Sequence, residues 1–213
     1  MRRAIGALVA LSLLLPMQDA VSQALPTSGC KAVVHLGDSL SLGLQNTIVP
    51  LYADMGFKNI VVHAVNGGSI WYPEGRSGLD VVRRYRAQYG SGVCWVIALG
   101  TNDAASTAYK NWSLRIESIM KEIGNDPVIW VNVWFWSKTR PSYNLFVATA
   151  WNSLLFQYQK KYLKMRVFDW ATIAKSNPQW FIYDGLHYNQ TGIANRELWI
   201  SRAAGILFPY SPR

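Results

Sequence analysis

A serine near the start of the chain, and an aspartate and a histidine near its end, have the types and spacing that nucleophilic catalysis requires. Ser39 stands in Gly37-Asp38-Ser39-Leu40, directly after an apolar run. Asp184 and His187 lie three residues apart in a segment that also contains a glycine. One turn of chain can bring this carboxylate to Nδ1 of the imidazole and leave Nε2 free to accept a proton from a serine hydroxyl. Ser39, Asp184 and His187 are therefore candidates for a nucleophile, an orienting acid and a general base.

Ser39 also suits a structural role. A serine between an apolar strand and a helix is a common N-cap, because its oxygen accepts a backbone NH of the first helical turn. Aspartate and histidine likewise occur often in turns. His35 and His63 lie inside apolar runs, and we expect them to be core residues rather than catalysts. The choice between cap and nucleophile depends on whether the chain also supplies donors for an oxyanion.

Two further segments could supply such donors. Asn102, in Gly100-Thr101-Asn102-Asp103, follows an apolar run, and its side-chain NH2 could bind a developing oxyanion. Gly67 or Gly68 could let a backbone NH approach a substrate, because neither residue has a side chain in the way. The structural alternatives are an Asx turn or helix cap at Asn102 and a plain turn at the glycines.

Five apolar runs of strand length alternate with longer helical patterns. The runs span residues 32–36, 60–65, 94–99, 128–133 and 167–170, and the helical patterns span residues 39–55, 78–89, 109–123, 144–162 and 191–206. Such alternation predicts βαβ units and a parallel sheet that helices cover on both faces. A chain of 213 residues is long enough for one sizeable core, so we expect one α/β domain with three layers, α/β/α.

The first 24 residues predict a secretory signal peptide. They combine Arg2 and Arg3 with an apolar run at residues 4–15 and with small residues at Ser22 and Ala24. The apolar run is shorter than the roughly 20 residues that span a bilayer. We therefore expect a signal peptide at residues 1–24, a single domain at residues 25–213, no membrane span, and a mature protein that is secreted or lies in the periplasm or cell envelope.

Positive charge dominates the composition. Lys and Arg number 21 against 12 Asp and Glu, which gives a formal net charge of +9. This balance is compatible with an anionic envelope surface as a partner. The cations are scattered apart from Arg83, Arg84 and Arg86, so we expect no nucleic-acid binding.

The two cysteines predict one disulfide bridge if the protein is exported. Cys30 precedes the first apolar run and Cys94 opens the third. Both therefore lie at the amino-terminal edge of the predicted sheet, where the thiols can meet if the two strands are neighbours. The alternative is two free buried cysteines.

The motifs at residues 37–40, 66–68, 100–103 and 184–187, taken together, resemble those of the GDSL or SGNH hydrolase superfamily, including its exported bacterial esterases. Their order along the chain, Ser, Gly, Asn and His, is that of the family, and the resemblance covers nearly the whole chain after residue 24. The resemblance implies a flavodoxin-like domain with a five-stranded parallel sheet in the order 2-1-3-4-5, no metal and no organic cofactor. It also implies an oxyanion hole built from the NH of Ser39, the NH of Gly67 or Gly68, with Gly67 favoured, and the side chain of Asn102.

Aromatic residues follow two of the predicted strands and are candidates for contacts with a substrate. Trp71 and Tyr72 come after the glycine motif, and Trp134 and Trp136 come after the fourth run. Such rings can stack on sugars or line an acyl pocket, although many aromatic residues simply pack in cores. Together with the resemblance, these features predict a serine esterase for short acyl esters of a small molecule, a glycan or a lipid. The alternatives are an O-acyltransferase with the same triad, a lipase or thioesterase for longer acyl chains, and a noncatalytic glycan-binding module.

Overall fold

Five parallel β-strands form the centre of the computed structural model, which describes residues 29–43, 45–106 and 111–208. The sheet order is β2-β1-β3-β4-β5, where the strands are β1 Ala32–Gly37, β2 Ile60–Ala64, β3 Val93–Ala98, β4 Val128–Val131 and β5 Met165–Phe168. Every neighbouring pair is parallel. The predicted fold class and strand order are confirmed.

The three central strands are apolar because they are buried on both faces. Every residue of β1, β3 and β4 is buried, whereas the edge strands β2 and β5 are mostly half-buried. A parallel sheet with helices on each face requires this pattern, which explains why the strands show continuous apolar runs rather than alternation. Two apolar cores result, one on each side of the sheet.

Helices cover both faces of the sheet and form the outer layers. One core includes residues of α2, α4 and α5, and the other includes residues of α1, α6 and α7. A further short helix, α3, follows β3. The helices are α1 Gln45–Asp54, α2 Gly78–Tyr89, α3 Thr101–Ala104, α4 Trp112–Ile123, α5 Leu145–Lys161, α6 Trp170–Lys175 and α7 Gln190–Leu207.

The helix predicted over residues 39–55 is interrupted after one turn. Ser39–Ser41 form a short 3-10 turn, Leu42 is extended, and Gly43 has a φ of +76°. A positive φ is favourable for glycine and costly for other residues, so the chain changes direction here before α1 begins. The residues after β1 therefore form a separate tight turn instead of the first turn of a long helix.

Two other predicted boundaries also differ. The strand predicted over residues 167–170 ends at Phe168, because Asp169 caps α6 by accepting the NH of Thr172. The helix predicted over residues 109–123 appears as α4, which begins at Trp112, and residues 107–110 lie outside the described part of the chain.

A disulfide joins Cys30 to Cys94, as predicted, with 5.6 Å between the two Cα atoms. Cys94 is the second residue of β3 and pairs in register with Val33 of the neighbouring strand β1, which brings the two cysteines together. The predicted signal peptide, residues 1–24, lies outside the described residues. Within residues 29–208, as far as they are described, no helix is long and apolar enough to cross a membrane.

Candidate active site

Three side chains from distant parts of the chain form one hydrogen-bonded line at the carboxyl end of the sheet. Ser39 follows β1, whereas Asp184 and His187 lie in the loop before α7. Ser39 Oγ lies 3.1 Å from His187 Nε2, and His187 Nδ1 lies 2.6 Å from Asp184 Oδ2. In this arrangement the carboxylate can hold the proton on Nδ1, so Nε2 can accept the serine proton.

Asp38, not Ser39, caps the 3-10 turn that carries the serine. The Asp38 carboxylate accepts the NH of Leu40 at 2.9 Å. Gly37 is also needed for the turn, because a Cβ at this position would overlap the side chain of Ser41. Of the two roles that the sequence left open for Ser39, the cap of this turn is therefore taken by Asp38, and the Ser39 hydroxyl lies beside His187.

The buried side chain of Arg196 holds this turn through hydrogen bonds. Arg196 of α7 is buried, and its guanidinium donates to the carbonyl of Leu40 at 3.3 Å and to Ser41 Oγ at 3.1 Å. Burial raises the pKa of Asp38 although the Arg196 charge opposes this change. No local motif marks Arg196, so analysis of the sequence missed it.

His35 lies in the core, as expected from its apolar surroundings. The ring is fully buried in β1, and Nδ1 lies 2.9 Å from Tyr52 Oη. Burial, together with the nearby Arg196 charge, lowers the pKa of His35 to about 3. The imidazole therefore stays neutral at physiological pH and packs as a polar core residue.

The loop that carries Asp184 and His187 fixes the carboxylate through its own backbone. Asp184 Oδ1 accepts the NH groups of Leu186 and His187, each at 2.9 Å. Partial burial alone would raise the pKa of Asp184, but the hydrogen bonds from the His187 side chain and from these NH groups outweigh burial and lower the pKa. The carboxylate is thus held ionised beside the imidazole.

The segment between β4 and α5 holds this loop in place. The NH of Trp136 donates to the Gly185 carbonyl at 3.0 Å, and the NH of Lys138 donates to the Asp184 carbonyl at 3.1 Å. Gly185 has a φ of +66°, and a Cβ there would approach the Trp136 carbonyl to 2.9 Å. Both the positive φ and the close approach of the Trp136 carbonyl therefore require a glycine between the candidate acid and the candidate base.

The amide of Asn102 is oriented by two partners. Its Nδ2 donates to the Gly68 carbonyl at 2.8 Å, and its Oδ1 accepts the hydroxyl of Tyr143 at 2.8 Å. One amide hydrogen remains to donate to another acceptor. Tyr143 lies between β4 and α5, and no sequence motif predicted this contact.

The two candidate glycines differ in how their backbone is used. The NH of Gly68 donates to the Val65 carbonyl at 2.9 Å, whereas Gly67 adopts a φ of +67°. Because the Gly68 NH already has an acceptor inside the turn, Gly67 remains the better candidate for an oxyanion donor.

Asp103 connects this glycine segment to the asparagine motif. Its carboxylate accepts the NH of Ile70 at 3.1 Å and a hydrogen bond from Arg115 at 2.7 Å. Burial raises the pKa of Asp103 to about 6, although the hydrogen bond from Arg115 opposes this change. The residue after Asn102 thus links the segment that carries Gly67 and Gly68 to α3 and α4.

The four candidate aromatic residues fall into two groups. Trp136 contacts the triad loop, and its ring centroid lies 6.4 Å from that of Trp134. Trp71 packs against α4, where its Nε1 donates to Ser118 Oγ at 3.1 Å, and Tyr72 is 63% exposed. The structure therefore places Trp136 against the segment that carries the histidine and Trp134 beside Trp136, whereas Trp71 packs elsewhere.

Among residues 29–43, 45–106 and 111–208, no three His, Cys, Asp or Glu side chains are grouped so that they could hold a metal ion.

Solved structures with this fold include enzymes that act on esters, while no protein-family model and no curated protein matches the sequence. A lipase/acylhydrolase from Enterococcus faecalis has a TM-score of 0.65 and 19% identity, over 85% of this chain and 99% of that one. The C-terminal catalytic domain of peptidoglycan O-acetyltransferase A from Streptococcus pneumoniae has a TM-score of 0.63 and 17% identity, over 88% and 99%.

A carbohydrate acetylesterase from Sinorhizobium meliloti, Est24, is also similar, with a TM-score of 0.58 and 14% identity over 82% of this chain and 96% of that one. All three likenesses extend over most of both chains, so they concern the whole domain rather than one part of it. With the observed strand order and the four sequence motifs, they show that this chain has the fold of the SGNH and GDSL hydrolases.

Proposed function

We propose that this protein is a serine esterase that hydrolyses short, acetyl-like carboxylic esters. The observation that carries the proposal is the unbroken line of hydrogen bonds from Ser39 Oγ through His187 to the Asp184 carboxylate. The esterases and acylhydrolases among the structural neighbours support the same reaction class. In this proposal Ser39 is the nucleophile, His187 the general base and Asp184 the acid that orients it.

In the first step, His187 Nε2 accepts the proton of Ser39 as Oγ attacks the ester carbonyl carbon. The carbonyl oxygen becomes an oxyanion, which the backbone NH groups of Ser39 and Gly67 and the free amide hydrogen of Asn102 stabilise. Collapse of this intermediate breaks the bond to the alcohol, which takes the proton from His187. The acyl group remains on Ser39.

In the second step, water replaces the alcohol. His187 removes a proton from water, and the resulting hydroxide attacks the acyl carbonyl in the same oxyanion hole. Collapse then releases the carboxylic acid and returns the proton to Ser39. Asp184 stays ionised throughout and stabilises the imidazolium form of His187, which the depressed pKa of Asp184 favours.

We further propose an exported enzyme whose substrate is an acylated glycan or lipid of the envelope or the extracellular space. The features of residues 1–24 and the net charge of +9 support this location and an anionic surface as a partner. The chain after residue 24 has no long apolar insertion that could form an acyl tunnel, which supports short acyl groups over long ones.

Acyl transfer to a sugar hydroxyl is the second candidate function. It uses the same acyl-enzyme, and the likeness to a peptidoglycan O-acetyltransferase domain favours it. The two functions differ only in whether water or a hydroxyl takes the acyl group from Ser39. Product analysis with and without a sugar acceptor separates hydrolysis from transfer.

A fluorophosphonate probe tests the nucleophile directly. We expect the probe to label the wild-type protein at Ser39 and to leave Ser39→Ala unlabelled. Ser41→Ala serves as the matched control, because this neighbouring serine is buried and bonded to Arg196. Labelling that persists in Ser39→Ala would contradict the assignment.

Acyl preference is tested with a series of p-nitrophenyl esters. We expect kcat/KM to be highest from acetyl to butyryl and to fall for longer chains. A deep apolar pocket would instead add about 0.8 kcal/mol for each buried methylene, and kcat/KM would rise along the series. A maximum at octanoyl or beyond would favour a lipase or thioesterase.

A further inference from the structure

A cleft with both aromatic and polar walls lies between α5 and α6, outside the triad. It has a volume of about 320 Å³, which lies at the lower end of the range of small-molecule sites. Thr149, Ser153 and Phe156 of α5 form one wall, and Thr172 and Lys175 of α6 form the other. Asn132, Trp134 and Asp169 line the space between these helices.

The cleft opens at the same end of the sheet as the triad. Asn132 directly follows β4 and Asp169 directly follows β5, just as Asp38 and Ser39 follow β1. Because β4 and β5 lie two and three strands from β1, the spacing of strands puts the cleft about 10 to 14 Å from the serine. A short acyl ester does not span this distance, but an extended oligomer does.

A pair of tryptophans joins the cleft to the triad loop. Trp134 lines the cleft and contacts Trp136, with 6.4 Å between the ring centroids. Trp136 in turn donates its NH to Gly185, two residues before His187. These two half-buried residues therefore connect the cleft to the loop that carries His187.

The chemistry of the cleft matches a sugar. Trp134 and Phe156 offer apolar rings against which the C–H face of a pyranose can pack. The hydroxyls of Thr149 and Ser153 and the carboxylate of Asp169 supply acceptors and donors for sugar hydroxyls. This mixture of apolar and polar groups differs from an acyl pocket, whose walls would be apolar throughout.

Lys175 adds a positive charge to the cleft. Its ammonium lies 5.7 Å from the centroid of the Trp134 ring, and the side chain is exposed. It can donate to a hydroxyl, an amide carbonyl or a carboxylate of a sugar bound beside that ring. The opposite wall is formed by α5, whose Ser153 side chain is exposed.

We infer that this cleft binds a sugar unit of the substrate glycan at a distance from the esterified sugar, so that the substrate is an acylated oligosaccharide or polysaccharide. The inference rests on the proposed esterase function, because it assigns the cleft to the substrate of that site. It selects a glycan over a lipid as the molecule that carries the ester.

Calorimetric titration with unacylated β-1,4-linked hexasaccharides of glucose and of N-acetylglucosamine tests this site. We expect the wild-type protein to bind at least one of them. Ser153→Arg should weaken that binding at least tenfold, because the long side chain fills the cleft from an exposed helical position. Trp134→Leu should weaken it at least tenfold, because it removes the ring on which the sugar packs.

Two matched variants control for these changes. Gln157→Arg adds the same charge one turn further along α5, and Trp199→Leu removes an exposed tryptophan from α7, so both should bind as the wild type does. Circular dichroism of each variant checks that it is folded. If Trp134→Leu does not fold, Ser153→Arg still decides the question, because its side chain is exposed.

Binding of neither hexasaccharide, or binding that survives Ser153→Arg, would overturn the inference. Hydrolysis of p-nitrophenyl acetate by the wild-type protein is measured in parallel. Hydrolysis without hexasaccharide binding would remove the glycan site and leave the esterase proposal intact. Hexasaccharide binding at the cleft without hydrolysis or fluorophosphonate labelling would instead remove the esterase proposal.

Discussion

The hydroxyl of Tyr143 orients the amide of Asn102, the side chain that we propose as an oxyanion donor. Tyr143 donates to Asn102 Oδ1 at 2.8 Å, and Asn102 Nδ2 donates to Gly68 at 2.8 Å. We predict that Tyr143→Phe lowers kcat with little change in KM, because the hydroxyl acts on the transition state only through the amide. The aromatic ring is retained, so its contact with Phe135, with centroids 5.6 Å apart, is preserved.

The size of the effect follows from the single bond that is lost. A neutral hydrogen bond contributes about 1 kcal/mol, which corresponds to a decrease of about fivefold in kcat. Removal of the donor itself by Asn102→Ala should lower kcat by about 100-fold or more. Because Tyr143 acts only through Asn102, Tyr143→Phe should add almost nothing in the Asn102→Ala background.

The assay is steady-state hydrolysis of p-nitrophenyl acetate by the wild-type protein, the two single variants and the double variant. Arg140→Gln is a control, since Arg140 is exposed and its guanidinium lies 5.8 Å from the centroid of the Tyr143 ring. A fivefold loss from Tyr143→Phe in both backgrounds would refute the reasoning, because it would show that Tyr143 acts independently of the amide. An increase in KM alone would refute it as well.

Three further predictions concern the triad turn and the core. Ser39→Ala should abolish ester turnover and leave the unfolding temperature almost unchanged, because Asp38 caps the turn; a clear drop in that temperature would show that the serine also supports the fold. Replacement of both Cys30 and Cys94 by alanine should lower the free energy of unfolding by roughly 4 kcal/mol in the chain-entropy model, and urea denaturation that gives no loss would contradict this. The pKa of His35 is about 3 in the folded protein, so the unfolded chain binds more protons between pH 6.5 and pH 3 and stability falls as the pH drops through this window. The free energy of unfolding should therefore decrease between pH 6.5 and pH 4.5 in both proteins, but by about 2 to 3 kcal/mol less in His35→Gln than in the wild type. Urea denaturation at a series of pH values measures this decrease, and an equal decrease in both proteins would contradict the prediction.

The sequence by itself determined the architecture of helices on both faces of a parallel sheet. Each strand that is buried on both faces must be apolar along its length, and this pattern can be recognised in one strand at a time. The continuous apolar runs of β1, β3 and β4 already required helices on both faces. The position of Cys30 before the first strand and Cys94 in the third predicted their bridge on condition that the protein is exported and that these strands are neighbours, and the second condition is met in the sheet. Asp184 and His187 could be predicted as a pair because they lie three residues apart, which places them within one turn of the chain.

Contacts between distant segments were decided by the tertiary structure. Ser39 and His187 are 148 residues apart in the sequence, and only the packing of their segments at the carboxyl end of the sheet brings Ser39 Oγ to 3.1 Å from His187 Nε2. Local sequence left Ser39 with two roles, and the choice depended on which side chain reaches the NH of Leu40. Asp38 does so, because the tight turn after Gly37 directs its carboxylate there.

Tyr143 and Arg196 show most clearly what local pattern does not contain. Neither stands in a motif, and each acts on a residue that lies far from it in sequence: Tyr143 on Asn102 and Arg196 on the turn of Ser39. Their roles arise because the β4 to α5 segment and α7 pack against the carboxyl end of the sheet. Periodicity and spacing report on neighbours within an element, whereas the orientation of a side chain across two elements is fixed only when those elements pack together.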